Sequence, residues 1–154
     1  MDRNMPLKQL SRHFTLNELT RSALAQRHGI ANVPGPEVVL NLARLATYVL
    51  EPVRRHFALP FSPSSGYRAP EVNRLAGSKA SSQHVTGQAV DFEIPGLSNG
   101  DVARWIKANL TFDQLILEFH RVDDPGSGWL HCSYVEGRNR NMSLIFDGIT
   151  YKEF

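Results

Sequence analysis

The stretch 82–92 reads Ser-Gln-His-Val-Thr-Gly-Gln-Ala-Val-Asp-Phe, and it constrains the chain more than any other. It sets His84 and Asp91 seven positions apart with Gly87 between them, then turns apolar at Ala89, Val90 and Phe92. The pattern predicts a turn that delivers His84, followed by a short strand that carries Asp91. On such a strand Ala89, Asp91 and Glu93 share one face, and Gln88, Val90 and Phe92 share the other. An imidazole and a carboxylate presented this way can be two ligands of one Zn²⁺. A loop histidine and a hydrogen-bonded strand aspartate fit the same spacing.

A second stretch, 128–134, reads Gly-Trp-Leu-His-Cys-Ser-Tyr. It alternates like a strand, with Trp129, His131 and Ser133 on one face. A catalytic zinc site commonly has three protein ligands and one open position, and His84, Asp91 and His131 make such a set. Upstream, 65–73 reads Ser-Gly-Tyr-Arg-Ala-Pro-Glu-Val-Asn. These motifs, Ser-x-His-x-x-Gly-x-Ala-x-Asp and then Trp-x-His-x-Ser, resemble the zinc D-alanyl-D-alanine carboxypeptidases of cell-wall metabolism. The wider group includes lysostaphin and the hedgehog signalling domain. The resemblance runs from about Phe14 to Tyr134.

The resemblance implies one Zn²⁺ per chain and a peptidoglycan stem peptide as substrate. The cut could fall at D-Ala-D-Ala, at a D-Ala cross-link or at L-Ala-D-Glu. It also implies that Arg68 lies beside the metal, where a planar guanidinium can hold a carboxylate or an oxyanion. Many relatives carry a glutamate three residues before the last histidine ligand; here that position is Gly128. The best replacement as catalytic base is Glu118. It faces away from Leu115, Leu117 and Phe119, and can meet His131 if their strands pair. Asp123 and Asp124 are alternatives, with the reading of solvated loop acids beside them. His120, two residues past Glu118, shares its face if the strand continues, and is a candidate substrate contact. Ser82 either touches substrate or orients His84, or only caps a turn, and Asn73 is left outside the site. The rival class is a non-catalytic zinc module of the hedgehog type, which binds cell-wall peptide or a protein partner.

Composition narrows the remaining classes. The 154 residues suit one domain. A formal charge of +2 is no nucleic-acid signature. The single cysteine, Cys132, excludes an internal disulfide. It alternates away from His131, so it reads as a small buried hydrophobe. No run approaches the ~20 apolar residues of a membrane span, and no signal-peptide pattern is evident. Small single-domain members of this kind resemble phage proteins. The expectation is a monomer made in the bacterial cytoplasm, reaching the wall by holin-type release or as part of a virion.

Thr15 and Glu18 predict a capping box opening a short helix that ends near Gly29. A long helix is expected over 37–57, kinked or restarted at Pro52. Strands are expected over 61–67, 112–119 and 129–135, with a helix at about 101–110 capped by Ser98. Asp147-Gly148 signals a terminal hairpin. Trp105 reads as core, and His13, His28 and His56 as surface residues without partners. The whole reads as α+β, one domain with an antiparallel sheet and helices packed on one side. Its layout is an N-terminal extension over 1–13, a core over about 14–135 and a C-terminal hairpin over 136–154.

Overall fold

The computed structural model of the chain describes residues 8–154, so the first seven residues of the expected N-terminal extension lie outside it. Thr15 caps α1 (Leu16–Thr20) in a full capping box with Glu18. Ser22 caps a separate α2 (Ala23–Arg27), so the expected single helix is two. The long helix is three consecutive pieces: α3 (Pro36–Leu45), a π-helical turn (Ala46–Leu50) and α4 (Glu51–Phe57). Pro52 is the reason for the break. It has no N–H to donate, and its ring crowds the carbonyl one turn back. The π turn widens the ladder just ahead of it, with the Glu51 N–H reaching Ala46 O.

The remaining elements are α5 (Pro70–Leu75), β1 (Ala89–Phe92), α6 (Asn99–Asn109), β2 (Gln114–Glu118), β3 (Trp129–Ser133), β4 (Met142–Phe146) and β5 (Tyr151–Glu153). The five strands form one sheet in the order β1-β3-β2-β4-β5. Three of the four pairings are antiparallel, while β4 runs parallel to β2. One face of the sheet carries Val90, Phe92, Leu130, Cys132, Leu115 and Leu117, all buried in the core with residues of α3, α4 and α6. The opposite face carries Asp91, His131, Ile116 and Glu118 in register. Residues of α2 and α5 wall a cavity over that second face.

The segment 61–67 is not the expected strand. Pro63 supplies no ladder donor, and only an isolated bridge joins Ser65 to Asp91. Even so, Asp91 N donates to Ser65 O at 2.8 Å, and Ser64 N donates to Asp91 O at 2.9 Å. The next residue, Gly66, runs so close to α1 that a Cβ there would stand 2.3 Å from Leu19 O. Two histidines read as unpartnered have partners: His13 Nδ1 lies 2.8 Å from Glu51 Oε2, and His56 stacks on Trp105. The fold thus uses them to tie chain segments together.

Asp113, just ahead of β2, carried no signal in the sequence. It is buried and accepts from Arg140 Nε (2.8 Å), Arg140 Nη2 (2.7 Å) and Gln83 Nε2 (2.8 Å). It therefore pins the loop that carries His84 to the sheet. These hydrogen bonds, Arg140's first, outweigh burial and hold its carboxyl below the usual aspartate range. A depressed folded-state value stabilises the fold above the unfolded pKa of ~3.9, and that contribution is lost as pH falls through the folded value. Asp113→Asn should therefore cost about 1–3 kcal/mol at neutral pH by urea unfolding, with a gap from wild type that narrows below about pH 4. A gap that stays constant down to pH 2 would contradict this account.

Candidate metal centre and active site

His84 sits in the turn before β1 and is almost fully buried. Its Nδ1 lies 2.7 Å from Gly66 O. A carbonyl can only accept, so Nδ1 carries the proton and the neutral ring presents the Nε2 lone pair. That Nε2 stands 3.3 Å from Asp91 Oδ2. Across the β1–β3 ladder Asp91 faces His131 directly, and His131 Nδ1 stands 3.0 Å from Asp91 Oδ1. Ligand atoms of His84, Asp91 and His131 all lie within 4.8 Å of one another. Two donors on a tetrahedral zinc stand roughly 3.3 Å apart, so two nitrogens and a carboxylate oxygen at this spacing fit a divalent metal. Burial pushes the Asp91 carboxyl up, but the close approach of the His131 and His84 rings overcomes it and holds the group far below the usual range. Asp91 thus stays ionised, as a ligand must.

Arg68 precedes α5, and its backbone N–H donates to His84 O at 3.1 Å. Its Nη1 donates to Ser78 Oγ (2.7 Å) and Asn73 Oδ1 (3.4 Å), while Nη2 lies 3.8 Å from Asp91 Oδ2. Asn73, left out on sequence grounds, is a buried support: its Nδ2 also donates to Lys79 O, bracing the 77–82 loop. Ser82 lines the cavity, and its Oγ accepts from His84 N at 3.3 Å.

Glu118 lies on β2, which pairs with β3 as the site requires. Ile116 is the residue directly opposite His131, and Glu118 is opposite Trp129, so Glu118 is diagonal to His131 on the same face. It is half-buried beside aromatic neighbours. Burial is the main cause that raises its pKa, opposed by the charge of His131 and reinforced by that of Asp91. Glu118, Arg68, Ser82 and the three metal-ligand candidates all line one cavity of ≈ 740 Å³.

His120 does not follow Glu118 into this cavity. Phe119 has φ 51°, a left-handed conformation that ends the strand, and His120 is absent from the lining. Asp123 and Asp124 are also outside it, in the turn where Asp124 Oδ1 accepts from Gly126 N. Gly128 explains the missing glutamate. It has φ +64°, and a Cβ there would stand 1.7 Å from Glu118 O. The backbone that seats Glu118 leaves no room for a side chain at 128. Beyond Glu118 the cavity has an aromatic wall of Phe119, Trp129, Phe146 and Tyr151 that sequence reasoning missed.

Replacing Asp91 by Asn should take bound metal from about one ion per chain to near none, measured by elemental analysis after dialysis. Full retention would sink the ligand assignment. Gly128→Ala should destabilise the fold by roughly 1–3 kcal/mol through overpacking against Glu118, measured by thermal unfolding; a neutral outcome would show that the backbone there is free to move.

Comparison with known families bears on the same residues. The family model described as Peptidase M15 matches residues 12–132, which include all three metal-ligand candidates, Arg68 and Glu118. No curated protein matches the sequence. The match covers most of the chain and agrees with a His84–Asp91–His131 group able to hold a metal. The chain therefore belongs to the peptidase M15 family, the zinc D-alanyl-D-alanine carboxypeptidase family that its motifs resemble.

Proposed function

We infer that this chain is a zinc peptidase that hydrolyses peptide bonds of the peptidoglycan stem peptide. The observation that carries the reading is one cavity holding Arg68 beside Asp91 and Glu118 diagonal to His131. His84, Asp91 and His131 would hold the ion. When bound, zinc supplies Lewis acidity to the carbonyl and to water. Glu118 takes the proton of the attacking water at its carboxylate and returns it to the departing amine. Its aromatic surroundings favour the neutral form between these transfers, which suits a group that must both accept and give a proton. Arg68 turns guanidinium donors toward the oxygen on which negative charge develops. Ser78 and Asn73 keep that side chain in place. Ser82 steadies His84 from the cavity rim.

The wall hydrolase role, as a phage endolysin or a virion-associated enzyme made in the cytoplasm, is part of this proposal and rests on the sequence resemblance. A muropeptide digest tests it: purified peptidoglycan with and without chelator, products weighed by mass spectrometry. Chelator-sensitive cleavage is the expected result. Intact muropeptides with metal bound one to one would favour the non-catalytic module to which the empty glutamate position at Gly128 points. Glu118→Gln should keep the metal and slow turnover by about 10²–10⁴-fold. A variant that retains full activity would remove Glu118 from the mechanism.

A further inference from the structure

We propose that Trp129, Phe119, Phe146 and Tyr151 form a subsite for the saccharide portion of a glycan-linked peptide. The proposal rests on the peptidase reading above and adds what the enzyme holds beside the scissile bond. The four rings make one strip. Phe119 lies 5.2 Å from Trp129 and 5.3 Å from Phe146 between ring centroids, and Phe146 stacks on Tyr151 at 4.5 Å and 21°. Trp129 and Phe146 flank Glu118 in the strand register, and Tyr151 faces Phe146 on the next strand. The strip therefore straddles the candidate base, with Trp129 on β3 to one side and Phe146 on β4 and Tyr151 on β5 to the other.

Three observations set this strip apart from ordinary packing. Strand alternation assigns Phe119 to the core face with Leu115 and Leu117, yet its left-handed backbone diverts the ring to the cavity. A non-glycine residue persists in that region only where its surroundings hold it, and such strain gathers at functional sites. Phe119 and Tyr151 remain 47% and 57% exposed. Contiguous apolar surface left open in a concave site is characteristic of ligand binding. Finally, Phe146 and Tyr151 lie beyond residues 12–132, so half of the strip comes from chain that the family match does not cover.

The chemistry of the wall polymer selects the ligand. Stem peptides offer methyl groups and charged chains, which leave such a strip mostly unfilled. The sugar attached at their N-terminal end offers a broad face of weakly positive C–H bonds. Aromatic faces are negative, so the two surfaces attract.

The test compares two substrates for the metal-loaded protein: a disaccharide-linked stem peptide and the same peptide with its sugars removed. The linked substrate should show the higher kcat/KM, by about threefold to tenfold. In Phe119→Ala and Tyr151→Ala that ratio should fall to about one. Equal rates for wild type, or a preference that survives both variants, would overturn the proposal. If neither substrate is cut, the peptidase reading fails, and the subsite is judged separately. N-acetylglucosamine tetramer would be titrated into Trp105→Phe protein, in which Trp129 is the remaining tryptophan. A saturable change in its emission, lost in Tyr151→Ala, upholds the subsite; an unchanged spectrum rejects it.

Discussion

One carboxylate organises the site. Asp91 faces His131 across a strand pair, meets His84 from the preceding turn and lies alongside Arg68. Its backbone bonds also hold the 64–65 segment against β1. The polar ring edges of both histidines and the Arg68 guanidinium surround this buried charge, which is what such burial demands. The same placement brings ligand atoms of His84, Asp91 and His131 within 4.8 Å of one another, so the folding requirement and the metal requirement fall on the same residues.

The scaffold around that carboxylate works by fixing segments that lack regular structure. The turn carrying His84 is held from three directions: Gly66 O on its ring, Asp113 through Gln83, and Arg68 through its backbone. Asn73 and Ser78 in turn hold the Arg68 side chain. Loops carry the chemistry and buried polar groups give them the rigidity of strands. At the other end of the site, the close approach of Gly128 to Glu118 O joins the end of β2 to the start of β3. That contact both seats the carboxylate and forbids a side chain where relatives carry their glutamate.

A strand's period of two fixes which residues share a face, so alternation makes Asp91 and His131 legible as ligand candidates, while His84, in the preceding turn, is legible only from its motif. Glu118 could be reached for the same reason. His120 could not, because a single left-handed residue at Phe119 resets the alternation. The 61–67 segment was misread because its apolar ends resemble a strand, while Pro63 and the close pass at Gly66 limit it to one bridge. Asp113 gave no signal, since its partners Gln83 and Arg140 are about thirty residues away on either side.

The sequence by itself determined the fold class, the capping box of α1, the break at Pro52 and the residue types of the candidate metal centre. These depend on local periodicity and on short-range sterics, which the chain carries at every position. Only the tertiary structure decided that β4 runs parallel to β2, that an aromatic wall flanks Glu118, and that Asn73 and Asp113 brace the site. Those features come from contacts between distant segments. Their energies depend on what packs opposite, and no local pattern encodes that.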